Sequence, residues 1–258
     1  MYFIDVQGTL ISDIDKTPIR GSIEFVDALN KSNTPYMVVT NNTKKQSRDF
    51  YNYLQSIGFD FGFERYLDPL MVLSYRVQHS SVAAYGSEEF LQTLLSMGYN
   101  LEYKKPDVVL IAIKEDFTSE EYAQMIELLL GGAKLVGMHE TSIYAKNNRR
   151  YPGVGAILKL LEFAASVDYE VIGKPSVAFY QEALRLLKKQ NLDIEFEDIT
   201  MISDDVKGDL GGAKELGMNS VFVTSGKYRC ADEIVPSLQE GLRPDFVYKD
   251  MQEILERL

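Results

Sequence analysis

Short apolar runs alternate along this chain with longer amphipathic segments, and this alternation limits the fold more than any other feature. Several runs are apolar at consecutive positions, which is typical of strands buried on both faces. Strands are predicted near residues 2–6, 35–40, 82–85, 107–113, 134–138, 170–172, 198–202, 219–224 and 245–248. Helices are predicted near residues 22–32, 45–57, 88–97, 118–130, 154–165, 177–190, 209–216 and 250–257. The alternation implies right-handed crossovers and therefore an α/β fold, a doubly wound Rossmann-like parallel sheet.

Two of the predicted helices begin at residues that favour helix N-termini. Ser22 is predicted to cap the first helix through its hydroxyl oxygen. Thr118-Ser119-Glu120-Glu121 has the spacing of a capping box, in which Thr118 and Glu121 bond each other's backbone amides. These signals place the start of each helix within a residue or two.

The organisation of the chain predicts an inserted domain rather than a string of domains. No linker rich in Pro, Gly or Ser and no internal repeat is visible in the sequence. The segment from about 80 to 172 forms a complete series of strands and helices of its own. We therefore expect a core of residues 1–79 and 173–258, with residues 80–172 as an inserted α/β cap.

Composition and charge exclude several classes of protein. Of the 258 residues, 45% are apolar and 25% charged, as in soluble globular proteins, and no apolar run approaches the roughly 20 residues that span a bilayer. A net charge of −11 argues against binding to nucleic acid or to anionic membranes. The single cysteine, Cys230, cannot form an intramolecular disulfide, and the first residues do not resemble a secretory signal. A cytoplasmic location is expected.

Polar side chains follow four of the predicted strands at the point where each strand ends. Ligands of open parallel sheets bind outside the carboxyl ends of the strands, so these side chains are candidates for a common site. They comprise the carboxylate of Asp5, the hydroxyl and amide of Thr40 and Asn41, the ammonium group of Lys174, and the carboxylates of Asp204, Asp205 and Asp209.

Each of these features has a purely structural explanation when it is taken alone. Asp5 with Gly8 suits a turn, and Thr40 with Asn41 suits the start of a helix. A lysine before proline is usually a solvated loop residue, and carboxylates favour helix N-termini. Together, however, the four strand ends supply the complementary parts of one phosphate site, and this combination favours function over coincidence.

The chemistry of phosphate transfer explains why these residue types belong together. A carboxylate such as Asp5 attacks phosphorus to give an acyl-phosphate, but the two anions repel unless positive charge lies between them. Mg²⁺ prefers hard oxygen ligands, which Asp5, Asp204 and a backbone carbonyl supply. Lys174 would neutralise nucleophile and phosphate, while Thr40 and the N–H group of Asn41 would bind phosphate oxygens.

These motifs resemble the haloacid dehalogenase (HAD) superfamily along the whole chain, in the branch with a NagD-like α/β cap between the second and third motifs. Asp5…Gly8-Thr9 resembles the first motif of the superfamily, Thr40-Asn41-Asn42 the second, Gly173-Lys174-Pro175 the third and Asp204…Asp209 the fourth. Within the superfamily, the segments 39–45, 203–213 and 224–228 are similar to the phospholysine phosphohistidine inorganic pyrophosphate phosphatase family.

The resemblance implies a magnesium-dependent phosphatase of small phosphorylated molecules. It implies that Asp5 is the nucleophile and that Lys174, Thr40 and Asn41 bind the phosphate. It also implies a Mg²⁺ site made by Asp5, the carbonyl oxygen of Gln7 and Asp204, with Asp209 or Asp205 orienting bound water. A dimer interface in the cap is left open.

Two positions depart from the superfamily pattern. Ser203 stands where a glycine is usual, a change expected to affect only local backbone freedom. Gln7 stands where most of these phosphatases carry an aspartate as general acid and base. An amide has no titratable proton near neutral pH, and loss of such a group typically lowers rates about 10²- to 10⁴-fold. The carbonyl ligand to the metal is retained.

Gln7 leaves two hypotheses open. In the first, the protein hydrolyses only substrates whose leaving group departs with little protonation, such as pyrophosphate, aryl phosphates or phosphoimidazole. The related family has a serine at this position and resembles active enzymes for P–N and P–O–P bonds. In the second, catalysis has decayed and the protein binds a phosphorylated ligand. A dehalogenase is disfavoured, because the aspartate-rich fourth motif fits a metal that such enzymes do not need.

Overall fold

The computed structural model describes residues 1–77, 81–146, 149–190 and 193–257. In these ranges the strands and helices alternate along most of the chain, as the sequence predicts. The strands are β1 (Tyr2–Asp5), β2 (Tyr36–Val39), β3 (Tyr66–Leu67), β4 (Ser81–Tyr85), β5 (Asn100–Leu101), β6 (Val108–Ile111), β7 (Lys134–Gly137), β8 (Ile143–Lys146), β9 (Arg149–Pro152), β10 (Tyr169–Val171), β11 (Thr200–Ser203), β12 (Asn219–Val223) and β13 (Phe246–Tyr248). The α-helices are α1 (Ser22–Lys31), α2 (Ser47–Ser56), α3 (Pro69–Arg76), α4 (Glu88–Ser96), α5 (Ser119–Leu130), α6 (Val154–Ala165), α7 (Val177–Lys188), α8 (Asp209–Glu215) and α9 (Met251–Leu255).

The chain divides into two compact units. The first comprises Met1–Thr40, Arg48–Leu67 and Val177–Leu258, and the second comprises Asn41–Ser47 and Asp68–Ser176. The described residues of the predicted cap, 80–172, all belong to the second unit. The predicted boundary between residues 79 and 80 lies outside the described residues.

A six-stranded sheet organises the first unit, in the order β13-β12-β11-β1-β2-β3. Every adjacent pair is parallel, which confirms the predicted α/β class. The side chains of β1 and β2 are almost wholly buried, with Phe3, Ile4 and Val38 at 0% exposure. Burial of each such side chain stabilises the fold by roughly 1.5–3 kcal/mol. The central strands are therefore rigid supports for the loops that follow them.

A second parallel sheet, in the order β10-β7-β6-β4-β5, organises the second unit. Its core includes Val109 and Ile111 of β6, which pack with Leu158 and Leu161 of α6. A separate antiparallel pair, β8 and β9, follows β7 along the chain. This unit thus has its own sheet and its own hydrophobic core.

Helix α1 begins differently from the prediction, and the assignment of Ser22 as its cap is wrong. Gly21 is the N-cap residue, in the left-handed conformation with φ of 80°, and no side chain caps the helix. A Cβ atom at Gly21 would overlap the backbone of Gln252, so the chain turns at this glycine and Ser22 becomes the first helical residue. By contrast, the predicted capping box of Thr118 and Glu121 is confirmed at the start of α5.

The prediction missed four strands and one α-helix in the described ranges. Strands β3 and β5 have two residues each and are too short to show a period, while β8 is only partly apolar and β9 contains two arginines. Helix α3 begins at Pro69 after its N-cap Asp68, whose carboxylate accepts from the amide of Met71. No helix in the described ranges is both long and apolar enough to cross a membrane.

Candidate active site

The carboxyl ends of four neighbouring strands bring together the polar residues of the first unit. Strands β12, β11, β1 and β2 lie side by side and parallel, so the residues that follow them share one edge of the sheet. This edge carries Asp5 at the end of β1, Thr40 after β2 and Asp204 after β11. The topology therefore places the predicted nucleophile between the two other groups.

Thr9 links Asp5 to Asp204. The Asp5 side chain is buried, and its Oδ2 atom accepts a hydrogen bond from the Thr9 hydroxyl at 3.2 Å. The same hydroxyl accepts from the backbone N–H of Asp204 at 3.2 Å. Thr9 is itself fully buried. One hydroxyl thus fixes the nucleophile candidate relative to the acidic loop after β11.

Two glycines allow the backbone to approach the Asp204 carboxylate closely. Gly8 has a φ of +81°, which favours glycine, and a Cβ atom there would overlap the Asp204 side chain. A Cβ atom at Gly226 would overlap the same carboxylate. The carboxylate is therefore enclosed between the loop after β1 and the loop after β12.

Replacing Gly8 with Ala is expected to destabilise the protein by the sum of two effects. The left-handed conformation costs about 1–2 kcal/mol for an L-residue, and the overlap with Asp204 adds about 1–3 kcal/mol. Gly217→Ala is the matched control, because Gly217 has a similar φ of +86° but only ordinary contacts with Glu197. Denaturant unfolding measures both variants, and equal losses of stability would contradict the predicted overlap with Asp204.

The hydroxyl of Ser203 connects two aspartates of the acidic loop, one through its carboxylate and the other through its backbone amide. It donates to Asp209 Oδ2 at 2.8 Å and accepts from the backbone N–H of Asp205 at 3.0 Å. Asp209 is buried, and its carbonyl oxygen accepts from the hydroxyl of the buried Tyr180 at 2.9 Å. The expectation that Ser203 affects only backbone freedom is therefore wrong, because its side chain organises the loop.

Lys227 contacts the same loop from the chain that follows β12. Its backbone N–H donates to Asp204 Oδ2 at 2.8 Å, and its Nζ atom lies 2.5 Å from Asp205 Oδ2. The preceding Ser225 hydroxyl donates to the carbonyl oxygen of Gly8 at 2.7 Å. The loops after β1, β11 and β12 are thus joined by hydrogen bonds.

Burial and neighbouring charges perturb the titration of this cluster. Burial raises the pKa of Asp204 well above its ordinary value; the positive charge of Lys227 opposes this shift, and the carboxylate of Asp5 adds to it. Burial by itself lowers the pKa of Lys227, but the carboxylates of Asp205 and Asp204 outweigh it and raise that pKa. The concentration of carboxylates at this edge favours a bound cation.

Gln7 and Thr40 form a direct pair. The Thr40 hydroxyl donates to Gln7 Oε1 at 2.7 Å, and Thr40 itself is fully buried. A hydroxyl carries one proton, so in this arrangement Thr40 donates to the amide oxygen of Gln7 rather than to a ligand. The Thr40 hydroxyl, which is predicted to bind phosphate, therefore fixes the side chain of Gln7. Gln7 is the residue that stands in place of the general acid and base.

In the second unit, Asn41 and Lys174 are joined by a reciprocal pair of hydrogen bonds. The Lys174 backbone N–H donates to Asn41 Oδ1 at 2.9 Å, and Asn41 Nδ2 donates to the Lys174 carbonyl oxygen at 3.2 Å. Lys174 is 1% exposed, so it is a buried lysine rather than a solvated loop residue. Gly173 allows this contact, because a Cβ atom there would crowd Asn41 Oδ1.

The structure thus groups the predicted site residues by unit. The first unit brings together Asp5, Gln7, Thr40, Asp204, Asp205 and Asp209, and the second brings together Asn41 and Lys174. Four further residues that sequence reasoning did not assign to the site also contact it: Thr9, Ser203, Ser225 and Lys227. Their motifs were visible in the sequence, but their hydrogen-bond partners were not.

The donors present fit a hard divalent cation. Among the described residues, no group of three His, Cys, Asp or Glu side chains is arranged to hold a metal by itself. The predicted Mg²⁺ site does not require one, since it combines two carboxylates with a backbone carbonyl oxygen and water. Gly8 and Gly226 enclose the Asp204 carboxylate and so hold this oxygen donor in a fixed position.

Comparisons with known proteins agree with this fold. A family model described as haloacid dehalogenase-like hydrolase matches residues 2–100, and a second model, described as HAD-hydrolase-like, matches residues 171–254. The chain is 30% identical to haloacid dehalogenase-like hydrolase domain-containing protein 2 of Bos taurus over 231 residues, which covers 89% of this chain and 86% of the relative. It is 29% identical to the phospholysine phosphohistidine inorganic pyrophosphate phosphatase of Mus musculus, covering 92% of this chain and 87% of the relative.

The structural comparison extends over the whole molecule. The p-nitrophenyl phosphatase from Archaeoglobus fulgidus superimposes with a TM-score of 0.84 at 22% identity, covering 100% of this chain and 98% of that one. This chain and the phosphatase therefore have a similar fold along their whole length. Family models, a relative of almost equal length and a common fold lead to the same conclusion, that this chain belongs to the haloacid dehalogenase-like hydrolase family.

Proposed function

We propose that this protein is a magnesium-dependent phosphatase that acts on a small phosphorylated molecule through an aspartyl-phosphate intermediate. The observation that carries the proposal is the buried arrangement of Asp5, Thr9 and Asp204, in which the Thr9 hydroxyl donates to the Asp5 carboxylate and accepts from the backbone N–H of Asp204. Asp5 attacks phosphorus and the leaving group departs; water then releases phosphate from Asp5. The mouse relative that is named as a phosphatase supports the same class of reaction.

Three oxygen donors of the first unit would hold Mg²⁺: Asp5, the carbonyl oxygen of Gln7, and Asp204. Asp209 or Asp205 would orient water bound to the ion. When bound, Mg²⁺ supplies positive charge that offsets the repulsion between the Asp5 carboxylate and the phosphate. The Thr9 hydroxyl and the amide of Lys227 keep the two carboxylates oriented for this purpose.

The phosphate would be bound by Thr40, the N–H group of Asn41 and the ammonium group of Lys174. The contact between Thr40 and Gln7 adds a condition, because the single hydroxyl proton of Thr40 must leave Gln7 Oε1 before it reaches a phosphate oxygen. The amide group of Gln7 would then offer its own N–H donors. We further propose that residues 1–79 and 173–258 form the catalytic core, and that residues 80–172 form a cap that selects the substrate.

Gln7 narrows the proposed substrates to those with good leaving groups. Its amide positions neighbouring groups by hydrogen bonding but transfers no proton, so the leaving group must depart with little protonation. Pyrophosphate, aryl phosphates and phosphoamidates such as phosphoimidazole meet this condition, whereas alkyl phosphates do not. The name of the mouse relative covers the first and third classes.

The leaving-group preference predicts a clear ranking of substrates. With Mg²⁺ present, we expect kcat/KM for pyrophosphate and an aryl phosphate to exceed that for a simple alkyl phosphate by about 10²- to 10⁴-fold. Phosphate release under identical conditions measures all three, and EDTA provides the metal-free control. Equal rates on the three substrates would refute the role proposed for Gln7.

A second candidate function is that of a phospho-ligand binding or regulatory protein with impaired catalysis. The observation that favours it is again Gln7, since its side chain is fixed on Thr40 and provides no acid or base. Beryllofluoride, an analogue of the phosphoryl group, distinguishes the two when it is combined with a phosphate-release assay. Binding of beryllofluoride with Mg²⁺ but no release from any good substrate would favour the binding protein. In both cases we propose a cytoplasmic protein that binds neither nucleic acid nor membranes.

A further inference from the structure

Two hydroxyl groups from different elements bind Asp209, one at its carboxylate and one at its backbone. Ser203, the last residue of β11, donates to Asp209 Oδ2 at 2.8 Å. Tyr180, near the start of α7, donates to the Asp209 carbonyl oxygen at 2.9 Å. Asp209 is buried, and Ser203 and Tyr180 are both 0% exposed. The side chain and the main chain of Asp209 are therefore each tied to a neighbouring element.

The ring of Tyr180 is fixed by the hydrophobic core. It stacks on Phe3 of β1, with ring centroids 6.3 Å apart and an interplanar angle of 7°, and it meets Phe179 edge-on at 6.1 Å. Burial raises the pKa of the Tyr180 hydroxyl well above its ordinary value, and the carboxylates of Asp209 and Asp205 add to this shift. The hydroxyl therefore keeps its proton near neutral pH and remains a donor to the Asp209 carbonyl oxygen.

The hydroxyl of Ser203 has two partners in the acidic loop. Besides donating to Asp209, it accepts from the backbone N–H of Asp205 at 3.0 Å. The single hydroxyl proton and one acceptor position of Ser203 are thus both used within this loop. Glycine, which the superfamily pattern has at this position, offers no such hydroxyl. The contact with the Asp209 carboxylate is therefore a consequence of serine at position 203.

We propose that Ser203 and Tyr180 are positioning residues of the metal site, which together hold Asp209 where its carboxylate orients water on a bound Mg²⁺. The inference rests on the proposed function, because it presupposes a Mg²⁺ ion between Asp5 and Asp204. A carboxylate offers about four lone-pair sites, so Asp209 is able to accept from Ser203 and from a water at once. Residues that orient the groups around a metal typically contribute about 10- to 100-fold to its affinity.

Calorimetric titration of the full-length protein with Mg²⁺ tests the proposal without using activity. Ser203→Ala and Tyr180→Phe each remove one hydroxyl and retain the rest of the side chain. We expect each variant to bind Mg²⁺ about tenfold more weakly, because Asp209 loses one of its hydrogen-bond donors and with it part of its orientation. The double variant S203A/Y180F is expected to bind Mg²⁺ more weakly than either single variant.

Ser220→Ala is the matched control for Ser203→Ala. Ser220 is also 0% exposed, and it lies at the second position of the neighbouring strand β12, away from the carboxyl ends of the strands. Its hydroxyl donates to Asp245 Oδ2 at 2.9 Å and accepts from the backbone N–H of Asp245 at 3.1 Å. It thus makes the same two kinds of hydrogen bond as Ser203, but at a distance from the proposed metal site.

Tyr36→Phe is the matched control for Tyr180→Phe. Tyr36 is 0% exposed at the start of β2, and its hydroxyl donates to Asn30 Oδ1 at 2.8 Å. Each control loses the same group as its counterpart, so denaturant midpoints should fall to a similar extent within each pair. Both controls are expected to bind Mg²⁺ with wild-type affinity, since neither hydroxyl contacts the acidic loop.

Asp209→Asn tests whether the two hydroxyls act through the Asp209 carboxylate. The asparagine keeps the backbone carbonyl oxygen that accepts from Tyr180, but it lacks the charge that orients metal-bound water. We expect this variant to lose at least as much Mg²⁺ affinity as S203A or Y180F. If S203A is insoluble, Ser203→Gly replaces it, and if Y180F is insoluble, Tyr180→Met replaces it, since both substitutes also lack the hydroxyl.

The possible results point in distinct directions. Wild-type Mg²⁺ affinity in either folded hydroxyl variant of the site would overturn the proposal, as would an equal loss of affinity in its matched control. Wild-type affinity in folded D209N would also overturn it, because the hydroxyls would then have no carboxylate through which to act. If the wild-type protein binds no Mg²⁺, the proposed function fails, and this outcome is distinct from failure of the roles of Ser203 and Tyr180.

Discussion

Replacing Asp5 with Asn is expected to lower turnover of every substrate by at least about 10⁴-fold, which is the scale on which loss of a catalytic nucleophile acts. The amide has neither the charge nor the lone-pair reactivity of the carboxylate, so no covalent phosphoenzyme forms. The Thr9 hydroxyl that donates to Asp5 Oδ2 can donate equally to an amide oxygen, and the fold should persist. Phosphate release from pyrophosphate with Mg²⁺ measures the loss.

Asp15→Asn is the matched control for this variant. Asp15 is an exposed carboxylate in the loop that follows β1, where it accepts hydrogen bonds from Thr17. Its replacement should leave turnover within about threefold of wild type, because surface substitutions have small effects. Turnover by the Asp5→Asn variant above about 1% of the wild-type rate would refute the assignment of Asp5 as the nucleophile.

Replacing Gln7 with Asp is expected to increase activity rather than reduce it. A carboxyl group at this position protonates the leaving group and later activates water, which together contribute about 10²- to 10⁴-fold. The gain should be concentrated on alkyl phosphates, whose leaving groups need the proton, and should be small on aryl phosphates. Measured kcat/KM values for the two substrates give the result, and the pH profile should acquire a new titrating group.

Gln7→Asn separates proton transfer from side-chain length. Both substitutions shorten the side chain by one methylene and disturb the 2.7 Å hydrogen bond from Thr40, but only the aspartate has a titratable proton. We therefore expect the asparagine variant to show no gain on alkyl phosphates. An equal rise in both variants would show that release of Thr40 from Gln7, rather than proton transfer, limits the rate.

The arrangement of the sheet was predictable because it depends on local patterns. Strands buried on both faces, each followed by an amphipathic helix, permit essentially one class of connection, and the observed parallel pairing of β1 with β2 and β11 agrees with it. Once the sheet is parallel, the residues after each strand meet at one edge. Asp5, Thr40 and Asp204 were therefore predicted from the sequence as residues of one edge.

The side-chain contacts within the site were not predictable in the same way. Ser203 looked like a neutral replacement for glycine, but its hydroxyl joins Asp205 and Asp209. Lys227 lies on a different strand connection from its partners, and its role depends on how closely Gly226 lets the chain approach Asp204. Such contacts depend on packing between segments far apart in sequence, which periodicity does not encode.

Helix boundaries show the same division between local and tertiary causes. Asp68-Pro69 is a good start signal for helix α3, with an N-cap aspartate and a proline at the first position, so this helix was detectable from the sequence. Gly21 becomes the N-cap of α1 because the backbone at Gln252 leaves no room for a side chain. Gln252 is more than two hundred residues away in the sequence, and its contact with Gly21 overrides the local preference for Ser22 as the N-cap.

Identification of the phosphorylated residue tests the central claim most directly. Wild-type protein is mixed with Mg²⁺ and ³²P-labelled pyrophosphate, quenched in acid within the first turnover, and digested for peptide mapping. We predict a labelled acyl-phosphate on Asp5 that hydroxylamine removes, and no label in the Asp5→Asn variant. Release of phosphate during turnover without any label on Asp5 would contradict the proposed mechanism.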